Sequence, residues 1–211
     1  MKIIGFAGKK GVGKNFVSDC AVEVLLRKQK KVSTYAFANP LKEFCIKVLG
    51  VDRAAAYGND FDKNAETHYK WADRPDFIRS KNVKNDETMT VRHVLQIFGT
   101  EVIRDIWDKQ AWINTMVREA KEKEAQNYDY FFVTDVRFEN EVDGILDIGT
   151  ILYIDGPQRG NDNEKNDKHS SETYLDRIKE RASSDSRIVV FNNDLSCTKQ
   201  DIESRLSEMM G

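Results

Sequence analysis

Two hydrophobic rhythms take turns along the chain. Lys2 to Ala7 is a short apolar run ending in glycines, and Phe16 to Leu26 follows with Phe16, Val17, Cys20, Ala21, Val24 and Leu25 on one helical face. Val32 to Phe37 predicts a second strand, stopped by Asn39-Pro40, and Leu41 to Leu49 a short helix. Thr90 is placed to cap a helix whose apolar positions Val91, Val94, Leu95, Phe98 and Val102 form a stripe. Lys109 to Ala125 predicts a further helix with Trp112, Met116 and Ala120 at four-residue spacing, the pattern of core side chains. Tyr130 to Thr134 is apolar on both faces, as a central parallel strand must be, and ends at Asp135. Phe138 to Ile148, Glu172 to Arg181 and Thr198 to Met210 read as helices, Thr150 to Ile154 and Arg187 to Asn192 as strands. Strands alternating with helices imply an α/β fold with a central parallel sheet flanked by helices.

Two stretches break the rhythm. From Gly50 to Thr88 the apolar period fades, which predicts a loop-rich excursion capping a site. From Gln158 to His169 there is no large apolar side chain, so the tract gains too little by burial to order itself and should stay mobile until something binds.

Composition narrows the class. With 211 residues, 40% of them hydrophobic, a single domain over 1–211 is expected, its excursion covering about 38–110. Lys plus Arg number 33 and Asp plus Glu 35, a net charge of −2, so nothing global favours a nucleic-acid polymer or a membrane surface. Any anionic partner has to be caught locally. No apolar stretch approaches the roughly 18 residues of a membrane span, and the N-terminal run is too short for a signal-peptide core. Cys20, Cys45 and Cys197 are an odd number at long spacings, indicating neither a disulfide framework nor a zinc site. A reducing cytoplasm is the expected compartment.

Gly8-Lys9-Lys10-Gly11-Val12-Gly13-Lys14 satisfies G-x-x-x-x-G-K, directly after an apolar strand and directly before an amphipathic helix. Such a loop turns successive backbone N–H groups inward around phosphate oxygens, which needs the dihedral freedom of glycine, while Lys14 adds a point charge. Gly8, Lys10, Gly11, Gly13, Lys14, Asn15 and Phe16 are therefore the candidate ATP-binding residues. Asn15 replaces the Ser or Thr whose hydroxyl usually binds magnesium, although an amide oxygen remains a hard ligand, directly or through water. Asp135, at the C-terminal end of a central strand, is the candidate to hold a magnesium-bound water.

The phosphate loop, the segments Ala36 to Lys42 and Val91 to Thr100, Trp112, Asp135-Val136-Arg137 and His169-Ser170-Ser171-Glu172 together resemble the deoxynucleoside monophosphate kinases of large tailed bacteriophages. These blocks span most of the chain from Met1 to Glu172. The resemblance implies a three-layer P-loop NTPase fold with a lid over about 156–173, magnesium and ATP as the working pair, and transfer of the γ-phosphoryl group to a deoxynucleoside 5′-monophosphate. It places Leu41, Lys42, Arg92, Gly99 and Thr100 at the monophosphate, Trp112 beside the base, and Arg74, where the family varies in length, with them. Arg92, Arg137 and Arg74 are the candidates to grip the monophosphate, because a guanidinium fork matches phosphate oxygens bidentately. Lys14 and Arg137 are expected to stabilise charge on the transferring group, with Arg159 closing over it from the lid. A phage-encoded enzyme would work in the host cytoplasm, and a homodimer is the default oligomer.

Two other readings share these features. A P-loop kinase for another small acceptor, such as dephospho-coenzyme A, has the same strand, loop and lid. A non-catalytic ATP-binding switch would be consistent with Asn15. The ordered middle set of Arg92, Gln96, Gly99, Thr100 and Trp112 favours the nucleotide acceptor.

Overall fold

The computed structural model describes residues 1–76, 78, 87–158, 170–194 and 198–209, with the side chains of 170–173 set aside. The backbone divides into two compact units, one formed by Met1–Ala36 with Ile113–Gly211 and the other by Phe37–Trp112.

The first unit is built on five parallel strands: β1 (Lys2–Ala7), β2 (Val32–Tyr35), β5 (Tyr130–Val136), β6 (Thr150–Asp155) and β7 (Ile188–Asn192), in the spatial order β2-β5-β1-β6-β7. The strand richest in aromatic residues takes an inner place: Tyr130, Phe131, Phe132 and Val133 are all buried, with Lys2 opposite Tyr130 and Val32 opposite Tyr130 on the other side. Parallel strands covered on both faces read as continuous apolar runs, which is why this element was legible. On one face, α1 (Lys14–Arg27) and α8 (Lys199–Met209) cover Phe6, Phe132, Leu152, Ile154 and Phe191 with Val17, Cys20, Ala21, Leu25, Ile202 and Leu206. Phe6 and Phe132 meet edge to face at 5.0 Å. On the other face Ile145 of α6 (Glu139–Leu146) lies against the β1 backbone at Gly5. A further helix, α7 (Ser170–Arg181), buries Leu175 and Ile178.

The second unit holds α2 (Ala38–Leu49), α3 (Arg53–Tyr57), an antiparallel pair β3 (Glu66–Lys70) and β4 (Thr88–Thr90), and α4 (Val91–Gln96). Its core is Cys45, Val51, Ala56, Trp71, Met89, Val91, Val94 and Ile97. Thr90 caps α4 as expected: its hydroxyl accepts from His93 N while His93 Nδ1 accepts from Thr90 N.

Several expectations need correction. The stretch 50–88 is not merely loop: α3 starts at an Asp52 cap whose carboxylate accepts from Ala55 N, and β3 pairs with β4. Both elements are too short to establish a period. The 91–102 helix leaves α geometry after Gln96 and continues as a π-type helix over Ile97–Trp107, a widening that a 3.6-residue stripe does not encode. Pro40 does not precede α2 but sits in its first turn, where a missing N–H costs nothing. The strand before it stops at Tyr35, two residues short of Phe37. In α5 (Ala111–Ala125) the buried stripe is Ile113, Met116 and Ala120; Trp112 stands beside it, half-buried.

Candidate active site

Backbone dihedrals place the phosphate loop in a shape that only glycine tolerates. Gly8 has φ +145° and a Cβ there would lie 2.5 Å from the Ile154 carbonyl oxygen, a backbone atom of the adjacent strand. Gly13 has φ +88°, forms the N-terminal boundary of α1, and lets Val17 N donate to its carbonyl at 3.0 Å. With the first turn of α1 directly behind it, the loop sits at the positive end of the helix dipole.

That cleft, about 340 Å³, is lined by Gly8, Lys10, Gly11, Gly13, Lys14, Asn15, Phe16, Arg137 and Leu175, all from the first unit. Seven of these are the residues singled out from the loop sequence. Lys14 Nζ donates to the carbonyls of Gly8 at 2.6 Å and Lys9 at 2.8 Å, so the ammonium is folded over the loop it belongs to. Asn15 is exposed and Phe16 is 42% exposed.

Arg137 reaches the same cleft from the turn after β5. Its backbone N–H and that of Phe138 donate to Glu141 Oε2 at 2.8 and 3.1 Å. Glu141 is 2% exposed, so this buried carboxylate fixes the strand-to-helix turn from which Arg137 projects. Asp135 lies two residues earlier, still inside β5, where the pairing with β1 slips. Gly5 opposes Val133 but Ala7 opposes Val136, so β5 carries an extra residue at the position of Thr134 and Asp135. Bulges of this kind re-aim side chains at sheet ends. Asp135 is not among the cleft-lining residues. The neighbouring Tyr35 phenol is held protonated by burial and by the Asp135 charge.

The acceptor candidates lie in the second unit. Gly99 and Leu41 meet: a Cβ at Gly99 would fall 2.6 Å from Leu41 Cδ2. The Gly99 carbonyl accepts from Trp112 Nε1 at 2.9 Å, so the indole N–H is already engaged. Thr100 is exposed. The Lys42 ammonium stands 4.5 Å above the Tyr57 ring. Arg92 donates from Nη2 to the Asp60 carbonyl at 2.7 Å and to Asp60 Oδ1 at 3.3 Å, and from Nε to Asn64 at 3.3 Å. Arg74 lies over the Tyr69 ring at 4.9 Å. Arg159 and the rest of the 159–169 tract, including His169, fall outside the described residues, as does Cys197.

Sequence reasoning missed Leu175, Glu141 and Asn193. Glu141 had a readable signal, a Glu three residues after Phe138 and just before the apolar Val142, Ile145 and Leu146. Leu175 is one apolar residue of an ordinary amphipathic helix, and Asn193 follows β7 in an Asn-Asn-Asp run that also reads as a plain turn.

The family model for deoxynucleotide monophosphate kinases matches residues 53–200, more than half of the chain. The chain belongs to that family. It is 28% identical over 91 residues to the deoxynucleotide monophosphate kinase of Enterobacteria phage T4, and 26% over 91 residues to that of Escherichia phage RB69. Each of these matches covers 43% of this chain but only 36% of the phage protein. A relative from Acanthamoeba polyphaga mimivirus, to which the same activity is provisionally ascribed, is 28% identical over 194 residues, 85% of this chain and 84% of its own. Among solved structures, dephospho-CoA kinase from Campylobacter jejuni is 13% identical with a TM-score of 0.44, covering 100% of this chain and 96% of its own. Shikimate kinase from Bacteroides thetaiotaomicron is 13% identical with a TM-score of 0.45, covering 99% and 98%. The fold assignment of this family member rests on its strand order and loop geometry. Among the described residues no helix is long and apolar enough to cross a membrane.

Proposed function

We propose that the protein transfers the γ-phosphoryl group of ATP to a deoxynucleoside 5′-monophosphate. The observation that carries this reading is the convergence of Lys14 and Arg137 on one cleft with the glycine loop, within a chain of the deoxynucleotide monophosphate kinase family. Phosphoryl transfer asks little covalent chemistry of a protein; it asks for two anions in line and neutralisation of spreading charge.

The backbone N–H groups of the 8–14 loop bind the ATP phosphates. Lys14 Nζ exchanges the neutral carbonyls of Gly8 and Lys9 for phosphate oxygens, a stronger, charge-assisted contact. An oxygen of the acceptor monophosphate attacks the γ-phosphorus, the bond to the β–γ bridging oxygen breaks, and ADP leaves with that electron pair. Arg137, anchored through its turn by Glu141, neutralises charge on the equatorial oxygens. Arg159 closes over the same group, excluding water as a rival acceptor. Hard oxygen donors are what magnesium takes: Asn15, which lines the cleft, would hold the ion with the triphosphate oxygens, and Asp135, which does not line it, would act through a bound water. When bound, the ion spreads the charge of the β and γ phosphates. Arg92, Lys42, Arg74 and Arg137 supply the cations for the monophosphate, with Leu41, Gly99 and Thr100 beside them and Trp112 at the base.

The test is a coupled ADP-release assay with Mg-ATP against deoxynucleoside and ribonucleoside monophosphates, with dephospho-coenzyme A and no acceptor as comparators. Turnover with deoxynucleotides is the expected result. Turnover only with dephospho-coenzyme A, or none with any acceptor while ATP still binds, would overturn the reading.

A further inference from the structure

Among the described residues, Asn193 is the one polar residue at the C-terminal edge of the sheet that is buried, at 2% exposure, and is not used by the mechanism above. It follows β7, its backbone N–H donates to the Asp155 carbonyl at 2.7 Å, and its Nδ2 donates to the Val12 carbonyl at 2.8 Å inside the phosphate loop. The amide orientation is settled by that partner, since a carbonyl oxygen accepts only from the NH2 end. Its Oδ1 is buried without a hydrogen-bond partner. Proteins rarely leave a buried acceptor unpaired, so a side chain kept at that cost points to the bond its other end makes.

The Val12–Gly13 peptide is planar and trans, so its C=O and N–H point in opposite directions. Holding the Val12 oxygen against buried Asn193 therefore turns the Gly13 N–H away from the interior, and Gly13 lines the phosphate cleft. The fit is close: a Cβ on Gly13 would fall 2.7 Å from Asn193 Nδ2. At φ +88° Gly13 gives the peptide plane a freedom that other residues lack, and that freedom would let the N–H swing out of line unless something outside the loop held the carbonyl. We infer that Asn193 is a positioning residue for the phosphate loop, aiming the Gly13 N–H at a phosphate oxygen of the bound nucleotide. The inference rests on the proposed ATP-binding role of the loop.

The experiment combines two measurements. In the wild-type protein the 15N–1H resonance of Gly13 is followed on addition of Mg-ADP. In Asn193→Leu, which keeps the branch at Cγ and removes the donor, Mg-ADP affinity is measured by calorimetry and the KM values of ATP and of the best monophosphate by kinetics. Losing the aim of one charge-assisted donor should raise the Mg-ADP Kd about ten- to a hundredfold. ATP KM should rise with it while the monophosphate KM stays within about twofold, a split that a general loss of structure would not produce. A wild-type Gly13 amide that stays still on Mg-ADP binding overturns the inference, as does an Asn193→Leu protein that binds Mg-ADP normally. If Asn193→Leu does not fold, the wild-type Gly13 resonance decides alone. If the wild type binds no Mg-ADP, the ATP reading itself falls and the inference with it.

Discussion

Gly8→Ala and Gly13→Ala form a matched pair for testing how the phosphate loop is held. At Gly8 the φ of +145° lies in a region that only glycine enters readily, a strain of about 1–3 kcal/mol for alanine. The new methyl would also sit 2.5 Å from Ile154 O, backbone of an inner strand whose residues Ile151 to Ile154 are buried, adding about 1–3 kcal/mol of overpacking. The two together come to roughly 2–6 kcal/mol, against a total stability of about 5–15 kcal/mol for a typical domain. At Gly13 the φ of +88° costs about 1–2 kcal/mol, and the neighbour at 2.7 Å is a side-chain amide that can give way for about 1 kcal/mol of lost hydrogen bonding. Gly8→Ala should therefore be the more damaging, although both residues line one cleft. Urea unfolding followed by far-UV circular dichroism is the right assay, because Trp71, Trp107 and Trp112 all lie in the 37–112 unit and the unit that carries this loop has no tryptophan of its own. A Gly8→Ala stability within about 0.5 kcal/mol of wild type, or a Gly13→Ala protein less stable than Gly8→Ala, would show that the Ile154 backbone does not confine Gly8.

Other consequences are as direct. Arg92→Ala should raise the monophosphate KM about ten- to a hundredfold and leave the ATP KM near wild type, and the reverse split would put Arg92 on the wrong substrate. Burial pushes the Cys45 thiol up to about 11, so iodoacetamide at pH 8 should modify Cys45 only after denaturation, and mass spectrometry of native protein showing rapid labelling would contradict its packing. Arg187 holds the Asp185 carboxyl at about 2, below its unfolded value. The stabilisation is thus present above about pH 4 and lost as pH falls toward 2, so the urea midpoints of wild type and Asp185→Asn should differ at pH 6 and converge near pH 2. A constant gap would show that the pair contributes nothing through charge.

The sequence displayed the sheet and the phosphate loop because both obey short-range rules. β5 is apolar on both faces since two neighbouring strands and two helical layers enclose it, and the 8–14 loop needs its glycines at fixed places. What escaped notice depends on contacts distant in the chain or on elements too short to show a period. β3 and β4 pair across a gap of more than fifteen residues, and the π-type segment after Gln96 keeps the same apolar composition as an α-helix while changing which side chains share a face. Asp135 lies at a register slip between β1 and β5, which appears in neither strand alone. Asn193 is 181 residues from the carbonyl it holds. Arg92 shows the opposite limit: its type and position suggest an anion site, and the structure finds it engaged with Asp60 and Asn64, a contact that a phosphate would have to displace.

Transfer between two nucleotides is read out by following the label from [γ-32P]ATP in the presence of each deoxynucleoside monophosphate. Label should appear in the β position of the matching deoxynucleoside diphosphate, and that product should be lost in Lys14→Ala. Label released only as inorganic phosphate, or diphosphate formed at an undiminished rate by Lys14→Ala, would contradict such a transfer at the phosphate loop.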